Sequence, residues 1–171
     1  ADLAARLPEV TQQRTLKAAF VFIVVGSSLK LALFPLHLWM PNAYAYAPSA
    51  VTAFIAATAT KVSIYVMLRF FYTIFGAEFS FQAMPLGEVL MVLSLIAMFS
   101  GSLVAIFEQN TKRMLAYSSV AQIGYIMLGV SLATTAGLAA GMLHLFNHAL
   151  IKAALFMALG AVVYRLGSSQ L

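Results

Sequence analysis

The sequence predicts an all-α bundle of about five membrane-spanning helices, the first of them broken near Pro35, and three observations carry that prediction. Of the 171 residues, 63% are hydrophobic and only 9% are charged, against about 45–50% and 25% in a soluble domain. So few polar side chains cannot cover a water-soluble surface, and lipid is the solvent that suits the rest. Apolar stretches, each long enough to cross a hydrocarbon core of about 30 Å, are separated by short polar punctuation. They run on without the alternation that a membrane barrel would need.

Taken in order, residues 1–14 are polar and mildly amphipathic. They lack the basic start and compact apolar core of a signal peptide and are expected to be a loop from an upstream part of a longer subunit. The remainder, 15–171, is expected to form one partial transmembrane domain. Its first span covers about Leu16 to Met40 and is interrupted by Pro35, which lacks a backbone donor. The second runs from about Ser49, after the Pro41–Pro48 turn, to Phe75. The third covers Leu86 to Phe107, the fourth about Met114 to Leu132, and the fifth about Ala136 to Tyr164. Glycines inside these stretches are compatible with packed membrane helices. Small residues such as Ala56, Ala57 and Thr60 would let neighbours approach closely. Trp39, Tyr44 and Tyr46 suit an aromatic belt at the membrane surface.

Cysteine is absent and the formal charge is +5. Disulfides, thiolate zinc sites and cysteine-held iron–sulfur clusters are thereby excluded from this stretch. The basic residues are dispersed from Arg6 to Arg165, whereas a nucleic-acid surface needs them concentrated. The basic residues flanking the spans divide almost evenly between the two sides, so orientation is not fixed.

The informative residues are the cations inside the apolar stretches. Helical rise puts Lys30 about 21 Å along the first span, Lys61 about 18 Å along the second and Lys152 about 24 Å along the fifth. At those depths none is expected at a helix end. A lysine at a helix centre costs about 2.5–3.5 kcal/mol on insertion scales, so three cost about 8–10 kcal/mol. Such residues face a bundle interior or a hydrated cavity and mark ion or proton routes. His144, His148 and Lys152 are spaced i, i+4, i+8 and therefore share one helix face. Imidazoles both donate and accept protons near neutrality, so this ladder is what a proton relay requires.

Alternatives remain open at this level. Each buried cation could be a packing element satisfied by carbonyls, and the histidine pair could hold haem or a metal. No cysteine or carboxylate lies close in sequence to complete a metal site, so neither a metal nor a cofactor is expected. Thr58 and Thr60 flank Lys61. Ser118, Ser119 and Gln122 form a polar strip that suits either a channel lining or interhelical glue. Asn147 is expected to bond across helices, and His37, between Pro35 and Pro41, to sit at an interface or break. Pro35 itself reads as a helix break near a charge, a pattern used at ion sites in transporters.

Three runs together resemble the proton-conducting antiporter-like subunits of respiratory complex I, membrane-bound hydrogenases and Mrp-type Na⁺/H⁺ antiporters. They are Lys30 through Pro35-Leu-His-Leu-Trp-Met-Pro to Val51, Asn110-Thr-Lys-Arg-Met-Leu-Ala-Tyr through Tyr125, and His144-Leu-Phe-Asn-His148-Ala-Leu-Ile-Lys152. Lys61, in Thr60-Lys-Val-Ser-Ile-Tyr65, looks most like the D-type antiporter subunit. The resemblance implies proton translocation as part of a multi-subunit monovalent cation/H⁺ antiporter in the cell (inner) membrane, coupled to Na⁺ or K⁺. Its alternative is a proton-pumping membrane subunit of an NADH:quinone oxidoreductase or hydrogenase, where oxidoreductase activity belongs to the whole complex. It also implies roles. Lys30 would be the central lysine of a first half-channel, Lys61 would pass protons onward, and His148 and Lys152, with His144 alongside, would bridge to a second. The family pairs the first lysine with a glutamate on an earlier helix, and no intramembrane carboxylate for Lys30 is found here. This stretch is thus expected to be the middle of a subunit, partnered by other membrane subunits and unable to transport alone. A passive membrane anchor is the rival from another class.

Overall fold

The computed structural model describes residues 14–167 and 169, and all of the regular structure among them is helical. The polar stretch 1–14 lies outside the described residues except for Arg14, which opens the first helix. Helix α1 covers Arg14–Leu31, α2 Trp39–Tyr46, α3 Ser49–Arg69, α4 Leu86–Phe107, α5 Thr111–Ser131 and α6 Thr135–Leu166. Two single wide turns of π-helix, Phe70–Ile74 and Phe79–Ala83, connect α3 to α4.

The chain breaks where proline dictates. In a continuous helix the ring of Pro35 would clash with the carbonyl of Leu31 and push Phe34 out of helical geometry. Helix α1 stops at Leu31, Ala32 takes a left-handed φ of 62°, and Leu33 N–H donates to Ser28 O at 3.0 Å. The indole of Trp39 donates at 2.9 Å to Leu29 O, a last-turn carbonyl that also accepts from Ala32 N–H at 3.2 Å. That contact gives Trp39 a helix-capping role in addition to the interfacial one expected of it. Tyr44 departs further from expectation. It is buried, with its ring edge-on to Phe156 of α6 at 5.6 Å, because α2 folds back into the bundle instead of lying along its surface.

Among the described residues, four helices are long and apolar enough to cross a membrane: α3 with its π turn (Ser49–Ile74), α4, α5 and α6. The stretch expected to form the broken first span is divided into α1 and α2, and neither is one of these four. The bundle runs α4 against α5, α5 against α6, α6 against α3 and α3 against α1, with α2 laid on α5. Caps fix the helix starts. The Asn110 side chain accepts from Arg113 N–H at 3.2 Å, and Thr134 Oγ1 accepts from Gly137 N–H at 3.1 Å. At the other side of the bundle Phe20 of α1 meets Phe71, Phe75 and Phe79 at centroid distances of 6.0, 4.9 and 5.4 Å. Each such pair is worth about 0.5–1.5 kcal/mol beyond burial, enough to hold α1 on the irregular connection. Large apolar side chains, including Phe22, Phe99, Ile106 and Phe146, point outward as a lipid-facing surface requires.

Candidate functional site

The site lies where α6 meets α5 and α3. An eight-residue interval on α6 puts His144, His148 and Lys152 on one side of the helix, and the structure turns that side inward: His148 and Lys152 are buried and His144 is half-buried. Helix α5 runs antiparallel beside them and offers Leu115, Ser118 and Gln122 on its facing side. Lys152 Nζ donates to Leu115 O at 2.7 Å and to Ser118 Oγ at 2.6 Å. Ser118 Oγ in turn donates to Leu115 O at 2.9 Å. At the other end of the ladder His144 Nε2 lies 2.6 Å from Gln122 Oε1, and the edge of Tyr125 packs on the ring. The polar strip expected on α5 therefore serves as the partner surface of the ladder. Ser119 stands apart, bonded back to its own helix at Leu115 O, 3.0 Å.

His148 has no such partner. Its ring is stacked on that of His144 at 6.4 Å with planes 8° apart, and both of its nitrogens are buried without a hydrogen bond among the described residues. Across the interface on α3, Lys61 is buried in mid-helix and donates to Ala56 O within its own helix. Helices α3 and α6 pack directly on each other. Small residues make this approach possible, since Ala53, Ala56 and Thr60 of α3 are all buried. The carboxylates among the described residues, Glu78, Glu88 and Glu108, lie in connections or at helix ends. Glu108 is paired with Arg113 at 3.1 Å.

The sequence profile of the NADH:quinone oxidoreductase/Mrp antiporter transmembrane family matches residues 2–171. The chain belongs to that family. It is 44% identical over 167 residues to the N-type NADH-quinone oxidoreductase subunit of Desulforudis audaxviator, covering 98% of this chain and 33% of that protein. It is 33% identical over 171 residues to the D-type Na⁺/H⁺ antiporter subunit of Alkalihalophilus pseudofirmus, covering 100% and 34%. Among solved structures, the Mrp complex from Dietzia sp. contains a chain with a TM-score of 0.86 and 34% identity, covering 95% of this chain and 29% of that one. The chain thus spans about a third of the length of the curated relatives it matches.

Within this antiporter-like chain the expected residues do not all gather. Lys61, His144, His148 and Lys152 come together, whereas Lys30 does not. It sits in the last turn of α1, exposed among the described residues, because the helix ends at Leu31 rather than continuing toward Pro35. The expectation that Lys30 lies away from a helix end is thereby corrected. A cation there is favoured by the carbonyl end of the helix dipole. His37 lies in the break, buried, stacked on Phe34 at 5.4 Å and edge-on to Tyr117 at 6.3 Å. Asn147, expected to bond across helices, faces outward on α6. Thr58 bonds to Phe54 O within its own helix at 2.8 Å and does not reach the lysine beside it.

One residue was overlooked in the sequence. Lys112 looks like an ordinary loop cation, but it is buried and donates to Ala47 O at 2.9 Å, at the carbonyl end of α2. Arg113 adds a bond to Asn42 Oδ1 at 3.3 Å. The first turn of α5 thereby grips the segment that follows the break. The only sequence signal was the place of Lys112 in the second family-like run.

Proposed function

We propose that residues 15–171 form the middle of a proton path in a multi-pass subunit of a monovalent cation/H⁺ antiporter of the cell membrane, with other membrane subunits as partners. The observation that carries this reading is His148. It is buried, lacks a partner at either ring nitrogen among the described residues, and is bracketed one turn away by His144 and by Lys152. Buried polar groups without hydrogen bonds are costly, and a water at each nitrogen would remove that cost while connecting the imidazole to its neighbours. A neutral imidazole takes a proton at one nitrogen and gives one up at the other. Lys152 has two of its three N–H donors occupied by Leu115 O and Ser118 Oγ, leaving the third for the next carrier. Lys30, at the break beside Pro35, belongs in this reading to the neighbouring half-channel, with its carboxylate partner on another helix of a longer subunit.

A second reading has one specific observation in its favour, the higher identity to an NADH-quinone oxidoreductase subunit. There the same path is driven by electron transfer elsewhere in the complex. Cation/H⁺ exchange by the full complex in everted vesicles separates the two: Na⁺- or K⁺-driven proton flux belongs to the first, flux that needs quinone reduction to the second. In either assay His148→Phe should lower proton flux by about 100-fold, the low end of what general acid–base groups contribute. Undiminished flux from a normally assembled His148→Phe complex would reject the path.

A further inference from the structure

The contact between Gln122 and His144 carries an inference about where the proton sits, which rests on the proton-path reading for its transport consequence alone. Gln122 Oε1 and His144 Nε2 are 2.6 Å apart. With the Gln122 amide turned so that its oxygen, which only accepts, faces the ring, Nε2 bears the hydrogen, and in the neutral ring Nδ1 is then the bare nitrogen. The ring is held on its other sides by His148, parallel at 6.4 Å, and by Tyr125, edge-on at 6.0 Å. An amide carbonyl is too weak a base to take the proton onward. His148, by contrast, has two nitrogens without a partner among the described residues.

We propose that Gln122 locks His144 as the Nε2–H tautomer, so that His144 takes up and returns protons through Nδ1 alone. The two histidines then differ in kind. His148 passes protons through, in at one nitrogen and out at the other, while His144 is a side station at the end of the ladder. A proton leaves past it only when the Gln122 bond breaks and the ring turns. Gln122 is a positioning residue, acting through the imidazole.

The experiment is solid-state ¹⁵N NMR of the full complex in bilayers at alkaline pH, with ¹⁵N-labelled histidine and the His144 signals assigned by difference against His144→Asn. The expected spectrum has a protonated Nε2 and a bare Nδ1. Gln122→Ala should lower the Nε2–H to Nδ1–H ratio by about five- to tenfold, the worth of one neutral hydrogen bond, and Gln122→Glu, which keeps the acceptor, should restore it. A parent complex with the proton on Nδ1, or a ratio unmoved by Gln122→Ala, overturns the lock. Proton leak in the absence of a cation gradient should rise several-fold in Gln122→Ala vesicles, and an unchanged leak overturns the side-station role. If His148→Phe leaves transport intact while the tautomer responds as expected, the path reading fails and the lock stands; the reverse pattern removes the lock alone.

Discussion

Helix α5 has two working faces, and they are built on opposite plans. Toward α4 it is closed backbone to backbone. A Cβ added at Gly124 would come within 2.8 Å of Ser94 O, and one at Gly101 of α4 within 2.9 Å of Ala121 N. Small residues, Ser94, Ala97, Gly101 and Ala105, line the α4 side of that contact. Toward α6 the same helix is polar, with Ser118, Gln122 and the Leu115 carbonyl set against a lysine and a histidine. The dry face has no room to move, whereas the polar face meets α6 through hydrogen bonds and lies beside His148, whose ring nitrogens have no partner among the described residues. A rigid back is what allows a loosely satisfied front to keep its geometry, because the ladder's acceptors are fixed by a helix that cannot shift sideways.

That contrast can be broken from either side. Gly124→Leu drives a side chain into backbone and the Met98 stem. Overpacking of this kind costs about 3 kcal/mol or more where the neighbour cannot yield. The expected outcome is loss of folded subunit from the assembled complex, read by size-exclusion of the solubilised membranes. Lys152→Met should do the opposite. Replacing a buried charge by an isosteric apolar chain is often neutral for stability, so assembly should be normal while exchange falls by about 100-fold. A Lys152→Met complex that still exchanges would mean the polar face is only glue.

Ser118→Ala sharpens the comparison, since it removes one of the two acceptors on the Lys152 amine and leaves Leu115 O. One hydrogen bond to a charged group is worth about 1.5–3 kcal/mol, so proton flux should change by about tenfold with the fold intact, measured in the same vesicles. The smallest effect belongs to Lys112→Met. It leaves Ala47 O without its donor and should lower stability by about 1–2 kcal/mol. The drop should appear as an earlier thermal inactivation midpoint, with the initial exchange rate unaltered.

Much of the fold was legible because hydropathy reports span length directly. The α4 limits, Leu86 and Phe107, are those read from the sequence, and α5 and α6 differ from their expected ends by three residues or fewer. The ladder was legible for a similar reason: helical periodicity alone puts His144, His148 and Lys152 on one face. Long-range packing was not. Nothing local says that Tyr44 turns inward onto Phe156, that Lys112 is buried against Ala47, or that Gln122 and Ser118 rather than Ser119 meet α6. Those depend on how α2 folds back and on the rotation of α5, the latter fixed by the glycine contacts with α4. Lys30 was misplaced because arithmetic from the start of an apolar run assumes a continuous helix, and Pro35 ends this one four residues before itself.

The break also has a mechanical meaning. Tyr44 belongs to the short helix just past the kink, and its ring abuts Phe156, one turn beyond Lys152 on the long helix. Trp39 ties the near end of that short helix to α1, and Lys112 clamps its far end. A segment tied at both ends and packed on a neighbour between them acts as a strut, bracing the turn of α6 that follows Lys152.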